Sequence, residues 1–514
     1  MTAKRLGILL APVIAAASVA LVFSVHKTGA EVPQNPAAVS TPAKISPDYT
    51  AIVIPPNIAP LNFCIEQPGA AYFVAIRSSR PPDIEISSRT AAIEIPPRQW
   101  RRLLAANRGN PLHFDIHVKD NNGNWKRYPT ITNTIARDDI DPYIAYRLMK
   151  PQYNFYRNLG VYQRNLESFE ESLILHGRSF DNGCVNCHTF FKGNPEEMFL
   201  GVRSSAHGSG TLLVRDRKVS TIGTTFGHTS WHPTGRIAAF SKYDVRLFFH
   251  TARAEARDAI EYDSLLAYYL VDSQTVKTVP AIADKQRLET QPTWSPDGRY
   301  LYFPSAPMLW PEKQKFPPDR YNQVKYDLVR ISYDVESDQW GPLETVLSAD
   351  QTGLSILTPR ISPDGRFLLF TMCEYGCFGL WQPTSDLYLM HLDSGKHDRL
   401  ECNSPFAESW HAWSTNGRWI VFSSKRPTGV FTRLYFSYID ESGKAHKPFV
   451  LPQKNPRFYD SFVELYNVPE FITGPVRVSR RKLAGAVRTA DRITLDAITK
   501  PSPKTQGPPP WQQR

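Results

Sequence analysis

Trp294-Ser295-Pro296-Asp297-Gly298-Arg299, followed by Tyr300-Leu301-Tyr302-Phe303, reads as a tight turn that feeds a buried strand. Proline presets φ at the second turn position, the aspartate side chain holds the turn, and glycine accepts positive φ. The run behind it is apolar and aromatic, as a strand entering a core requires. The unit recurs as Trp231-His232-Pro233-Thr234-Gly235-Arg236, Ile361-Ser362-Pro363-Asp364-Gly365-Arg366 and Trp413-Ser414-Thr415-Asn416-Gly417-Arg418, each with such a strand behind it. The turn glycines lie 63, 67 and 52 residues apart. Each unit closes with a second strand ending in aspartate, at 268–272, 328–334, 387–393 and 434–440. Two hairpins in roughly 45 residues make the four-stranded unit of a β-propeller.

Working outward, residues 210–216 read as the closing strand of an earlier unit, whose opening strand falls near Cys187-His188-Thr189-Phe190. That gives five units, and a sixth is completed by segments around 458–471. The expected fold is mainly β: a five- to six-bladed propeller over residues 196–470, with surplus length at 248–263 and 308–321 as long loops on one rim. Before it, residues 51–140 alternate as half-buried strands, with Asp120-Asn121-Asn122-Gly123 as a hairpin turn and a short helix around 99–106. This predicts a small β-sandwich-like module. Its His113 and His117 lack partner ligands and read as structural. Residues 141–195 are expected to be a helical connector, since apolar residues at 165–175 recur every three or four positions.

The ends differ from the body. The chain of 514 residues carries a formal net charge of +11, yet residues 1–30 hold +3 and residues 471–514 hold +7, leaving +1 over the central 440. That distribution argues against nucleic acid as a partner. Lys4-Arg5 followed by an apolar run from Leu6 to Val25 predicts an export leader or an uncleaved N-terminal anchor over 1–30. Either places the body in the periplasm or elsewhere outside the cytoplasm, soluble after cleavage or membrane-associated through the N-terminus. Residues 31–50 read as a flexible linker, and 471–514 as a basic, proline-rich, solvated tail.

Cys184-Val185-Asn186-Cys187-His188 is the stretch that carries chemistry. Two cysteines two residues apart with an adjoining histidine form the attachment pattern for one covalent haem c, in which the thiols bond the porphyrin and the imidazole ligates iron. A disulfide, half a zinc site or coincidence are the plainer readings. On the haem reading Cys184 and Cys187 attach, His188 is the proximal ligand, and Met198 is a distal candidate, or else a core residue; His176, His207, His228 and Tyr243 are further candidates. His232 and His411, inside the repeats, read either as turn or core packing or as groups facing the haem. Cys64, Cys373, Cys377 and Cys402 allow two disulfides, Cys373–Cys377 among them, and none begins a second haem motif. The function expected is electron transfer to a periplasmic redox partner, or haem-based oxidoreductase chemistry on small nitrogen or oxygen species. An interaction scaffold without haem is the alternative.

The repeats resemble those of TolB-type β-propellers. Together with the β-rich N-terminal module and the single CxxCH, the chain resembles bacterial haem-bearing propeller proteins related to the large subunit of anammox hydrazine synthase, over residues 50–475. That subunit carries more than one haem, whereas this chain has one motif. The resemblance also implies an arrangement in which the motif histidine is not the iron ligand and a tyrosine and an additional metal ion, zinc, intervene.

Overall fold

The computed structural model describes residues 33–151, 158–253, 255–310 and 316–496. The expected leader or anchor, the end of the tail from 497 and part of the 308–321 segment lie outside these residues. Among the described residues no helix is long and apolar enough to cross a membrane.

The repeat unit folds as its chemistry dictates. Ser295 Oγ donates to Asp297 Oδ1 at 2.5 Å, Asp297 accepts Arg299 N at 3.0 Å, and Tyr300 N returns to Ser295 Oγ at 3.0 Å. Ser362, Asp364 and Phe367, and Ser414, Asn416 and Trp419, repeat this network. Each turn joins an inner strand to an apolar second strand that is almost wholly buried, such as Phe367–Cys373 or Trp419–Ser424.

The sheets are antiparallel meanders. Cys184–Phe191, Asn194–Ser204, Gly208–Arg215 and Lys218–Ile222 form one; Gly227–Trp231, Ile237–Phe249, Arg257–Leu270 and Thr275–Lys277 the next. Three more follow, with inner strands at Thr293–Trp294, Ser355–Ile361 and Glu408–Trp413. A sixth sheet comes last: Leu465–Ile472 pairs with Tyr143–Met149, which pairs with Gly160–Asn165 and then Glu171–His176. Successive inner strands touch, and Leu465–Ile472 touches Cys184–Phe191, so the sheets close a ring. The scaffold is a β-propeller, closed by strands from the two ends of the ring-forming chain.

Several expectations change. The described residues of 141–195 are not a helical connector: they contribute three strands, a short 3-10 turn at Gly177–Phe180 and the inner strand Cys184–Phe191. The helix-like spacing at 165–175 comes from a turn, in which Asn165 and Ser168 side chains accept Glu167 N and Glu170 N, next to an edge strand. Strand pairing outweighs the local period. The strands at 210–216, 268–272 and their equivalents are third strands; short polar strands such as Thr275–Lys277 and His397–Arg399 lie outside them, as protected edges commonly do. Within the 248–263 segment, 248–249 and 257–263 are not loop but the far end of a hairpin paired from Ile237–Leu270 to Phe249–Arg257.

The N-terminal module holds a seven-stranded sheet, a three-stranded sheet and a helix at Pro97–Ala106. Its core is continuous with the propeller's through Trp419, Phe436, Tyr466 and Phe471. Residues 33–50 are packed rather than a free linker, because Ala43, Ile45 and Tyr49 are buried in that core. Likewise the described part of the tail is packed: Ser479 caps a helix at Arg480–Arg488, whose Leu483, Ala484 and Val487 are buried against the first sheet. The six cysteines are all free thiols, with Cys373 and Cys377 in one buried cluster and Cys373 Sγ 3.3 Å from Tyr375 O.

Candidate functional site

A cavity of about 1070 Å³ lies where the inner strands converge. Cys184, Cys187 and His188 all line it. The strand that carries them is bulged. Register with Asn194–Ser204 shifts between Asn186 and His188, and Cys187 sits at φ 53°. A bulge adds one residue to a strand and re-aims its side chains. Gly201 makes room for it: a Cβ there would lie 2.8 Å from Asn186 O and 3.6 Å from Cys187 Cβ.

The bulge recurs around the axis. His228, Gln291, Thr358, Trp410 and Val468 also have positive φ, from 45° to 52°. Each lies at an interruption of its inner strand's pairing. His228, Gln291, Thr358 and Trp410 each stand three residues before a repeat's opening Trp or Ile; Cys187 and Val468 stand three before Phe190 and Phe471. The haem-like motif therefore occupies the axial bulge of its sheet. This spacing was present in the sequence, and it would have found Trp410 and Val468 as cavity residues.

His188 is 5% exposed, and its Nε2 has no hydrogen-bond partner. Burial, reinforced by the Arg147 cation, holds its pKa down at about 3 against partial relief from the Val468 backbone. The ring is thus neutral at pH 7, the form a metal requires. Cys187 Sγ lies 3.6 Å from Tyr243 Oη, and burial pushes that phenol well above its ordinary range. His228 stacks on Trp410 at 5.6 Å between ring centroids and lies 5.3 Å from the Tyr243 ring. Burial and then Arg360, Arg147 and Arg203 hold His228 at about 3. His411, at the same value through burial and Arg360, places Nε2 3.2 Å from Leu369 O. Glu470 accepts Phe190 N at 2.7 Å, and burial raises it to about 8.

The sequence candidates divide on this geometry. His228, Tyr243 and His411 line the cavity with the motif. Met198 does not: it is 1% exposed in the core with Phe190, Leu200 and Val214, and the cavity's methionine is Met149. The reason is strand alternation, since Met198, Leu200 and Val202 share the core-facing side of their strand. His232 is a turn residue, with Nδ1 2.8 Å from Thr234 Oγ1 and Nε2 3.1 Å from Gly298 O. His176 and His207 lie away from the cavity, where His176 Nδ1 accepts Arg178 N. His113 pairs with Thr132 and His117 packs edge-on against Phe73, both in the N-terminal module. Arg147, Arg360 and Glu470 carried no sequence signal, because each sits outside the repeats' turn motifs.

Fold and site define a β-propeller with a cysteine- and histidine-lined axial cavity. No family model matches the chain, and no curated protein matches it. Among solved structures, TolB from Acinetobacter baumannii is 12% identical over 73% of this chain and 85% of that one, with a TM-score of 0.41. A hypothetical selenium-binding protein from Sulfolobus tokodaii is 9% identical over 83% and 99%, with a TM-score of 0.39. Kuenenia stuttgartiensis hydrazine synthase is 14% identical over 50% and 66%, with a TM-score of 0.30. The propeller assignment stands on the connectivity of the sheets.

Proposed function

We propose that this chain is an exported, six-bladed propeller that carries one covalent haem c in its axial cavity and uses it in redox chemistry. One observation carries the reading: both motif cysteines and the motif histidine line one cavity, with the histidine neutral and its Nε2 unpartnered. A haem fits that donor set. Cys184 and Cys187 would attach it, His188 would ligate the iron, and the bound group would supply one-electron or small-molecule chemistry. Among the described residues no three His, Cys, Asp or Glu side chains converge as a separate metal group. With Met198 in the core, a His/Met wire loses its sequence candidate. The tyrosine, histidines and arginines around the cavity favour chemistry on a small molecule, with a periplasmic protein as electron partner.

The test is expression with haem-maturation machinery, followed by a haem stain on a denaturing gel. Wild type is expected to stain, and Cys184→Ser/Cys187→Ser to lose the stain. His188→Ala is expected to keep covalent haem but change the iron's optical spectrum. An unstained wild type removes the haem reading and leaves the scaffold reading; an unchanged spectrum in His188→Ala moves the proximal ligand elsewhere.

A further inference from the structure

The axial cavity has two unequal ends. The Ser-Pro-Asp-Gly turns join the first strand of a sheet to its second, so they all lie at one end of the ring. Lys192, Pro296, Pro363 and Thr415 line the cavity there and are exposed. Connections from second strand to third lie at the other end. There Cys184, Leu380, Trp381, Trp410 and Leu465 line the cavity and are buried. What covers them is the hairpin of Ile237–Phe249 and Arg257–Leu270, the longest strands of the ring. Its register shifts between Asp244 and Val245, a bulge at which a hairpin bends. Beyond the bulge, Val245, Leu247 and Ala259 pack in one apolar cluster with those five residues.

The hairpin reaches across the axis. Glu255, at its closed end, pairs with Lys425, which follows Trp419–Ser424 three sheets further round the ring. Lys425 is 3% exposed, and Glu255 also accepts Arg257 Nε at 2.7 Å. Beside them Tyr375 Oη donates to Asp258 Oδ2 at 2.7 Å, and the Arg257 guanidinium lies 5.6 Å from the Trp381 ring centroid. A hinge at a bulge, an apolar underside and a polar fastening at the far end are the parts of a lid. We infer that the hairpin strands beyond Asp244 are a strap that closes this end of the cavity, latched by Glu255 and Lys425 and raised only when that pair parts. A small ligand then enters at the turn end, while any group bonded to Cys184 is seated with the strap raised. The inference needs no haem, because it concerns access to the Cys184 thiol.

The experiment is N-ethylmaleimide labelling of the reduced, haem-free chain, made without haem-maturation machinery, with each cysteine's rate read by peptide mass spectrometry. Each rate is divided by that of the same cysteine in urea, which removes differences of sequence context. In wild type Cys184 is expected to label far more slowly than Cys187, which is only half-buried. Lys425→Met parts the latch and leaves Glu255 with Arg257; Glu255→Gln also strands a buried ammonium. Both are expected to speed Cys184 labelling about tenfold or more, Glu255→Gln the more strongly, with Cys187 unchanged. Cys64, buried in the N-terminal module, reports global opening. Where Glu255→Gln speeds Cys64 as well, Lys425→Met, which strands no charge, decides. Wild-type Cys184 labelling as fast as Cys187 overturns the seal. Cys184 rates unchanged in both variants, or Cys64 rising in step with Cys184 in both, overturn the latch, since the pair then fastens the whole fold rather than a strap. A wild type that takes up no haem in maturing cells defeats the haem reading and leaves these rates decisive.

Discussion

Gly227 leaves the space into which Tyr243 leans: a Cβ there would lie 2.0 Å from Tyr243 Cε1. That space holds the phenol beside Cys187 and His228. Gly227→Ala is expected to cost about 1–3 kcal/mol through overpacking, read as a lowered urea midpoint. In a Tyr243→Ala background the same change is expected to cost almost nothing, because the clash partner is gone. At this scale the sequence was legible for Cys184, Cys187 and His188 as a set, since their spacing is a chemical signature. It was misleading for Met198, whose distance along the chain from His188 says nothing about which side of a strand it occupies. Arg147 and Arg360 were illegible, because an arginine's burial depends on strands that pair only in the folded ring.

The elements show where local pattern suffices and where it does not. Ser-Pro-Asp-Gly turns announced themselves because their hydrogen bonds close within six residues. The ring's last sheet did not, because Leu465–Ile472 finds its partner Tyr143–Met149 some three hundred positions earlier. No window of sequence contains both. The helix Arg480–Arg488 was hidden by its basic composition: Leu483, Ala484 and Val487 form its buried side, while Arg and Lys cover the rest. It rests against Glu171–His176 and Lys218–Ile222, and so bridges the last sheet and the first. Leu483→Ala is expected to destabilise the protein by about 2–5 kcal/mol, with a lower urea midpoint. Protease cleavage after residue 476 is expected to accelerate in the same variant. If neither changes, the helix is not part of the closure.

Over the whole molecule the axial cavity concentrates groups whose protonation differs between folded and unfolded chain, and the differences have opposite signs. Burial raises Glu470 from 4.5 to about 8, so its contribution is full below pH 4.5 and is lost as pH rises through 8. Burial lowers His188, His228 and His411 from 6.5 to about 3, so their contribution is full above pH 6.5 and is lost as pH falls. Between pH 6.5 and 8 the carboxyl dominates: the folded chain binds up to one proton more, and stability falls with rising pH by at most about 1.4 kcal/mol per unit, with Lys425, lowered by burial to about 8, opposing it only at the top of that range. Between pH 4.5 and 6.5 unfolding takes up three protons on the histidines and releases one from Glu470, so stability falls as pH drops. The cavity's contribution therefore peaks just above pH 6.5. Urea midpoints measured from pH 5 to 8 are expected to show that maximum. Glu470→Gln, which keeps the acceptor to Phe190 N but cannot titrate, is expected to flatten the alkaline limb. It is also expected to steepen the acid limb, where all three histidine protons then count in full. Parallel alkaline limbs for wild type and variant would mean that Glu470 is ionised within the fold.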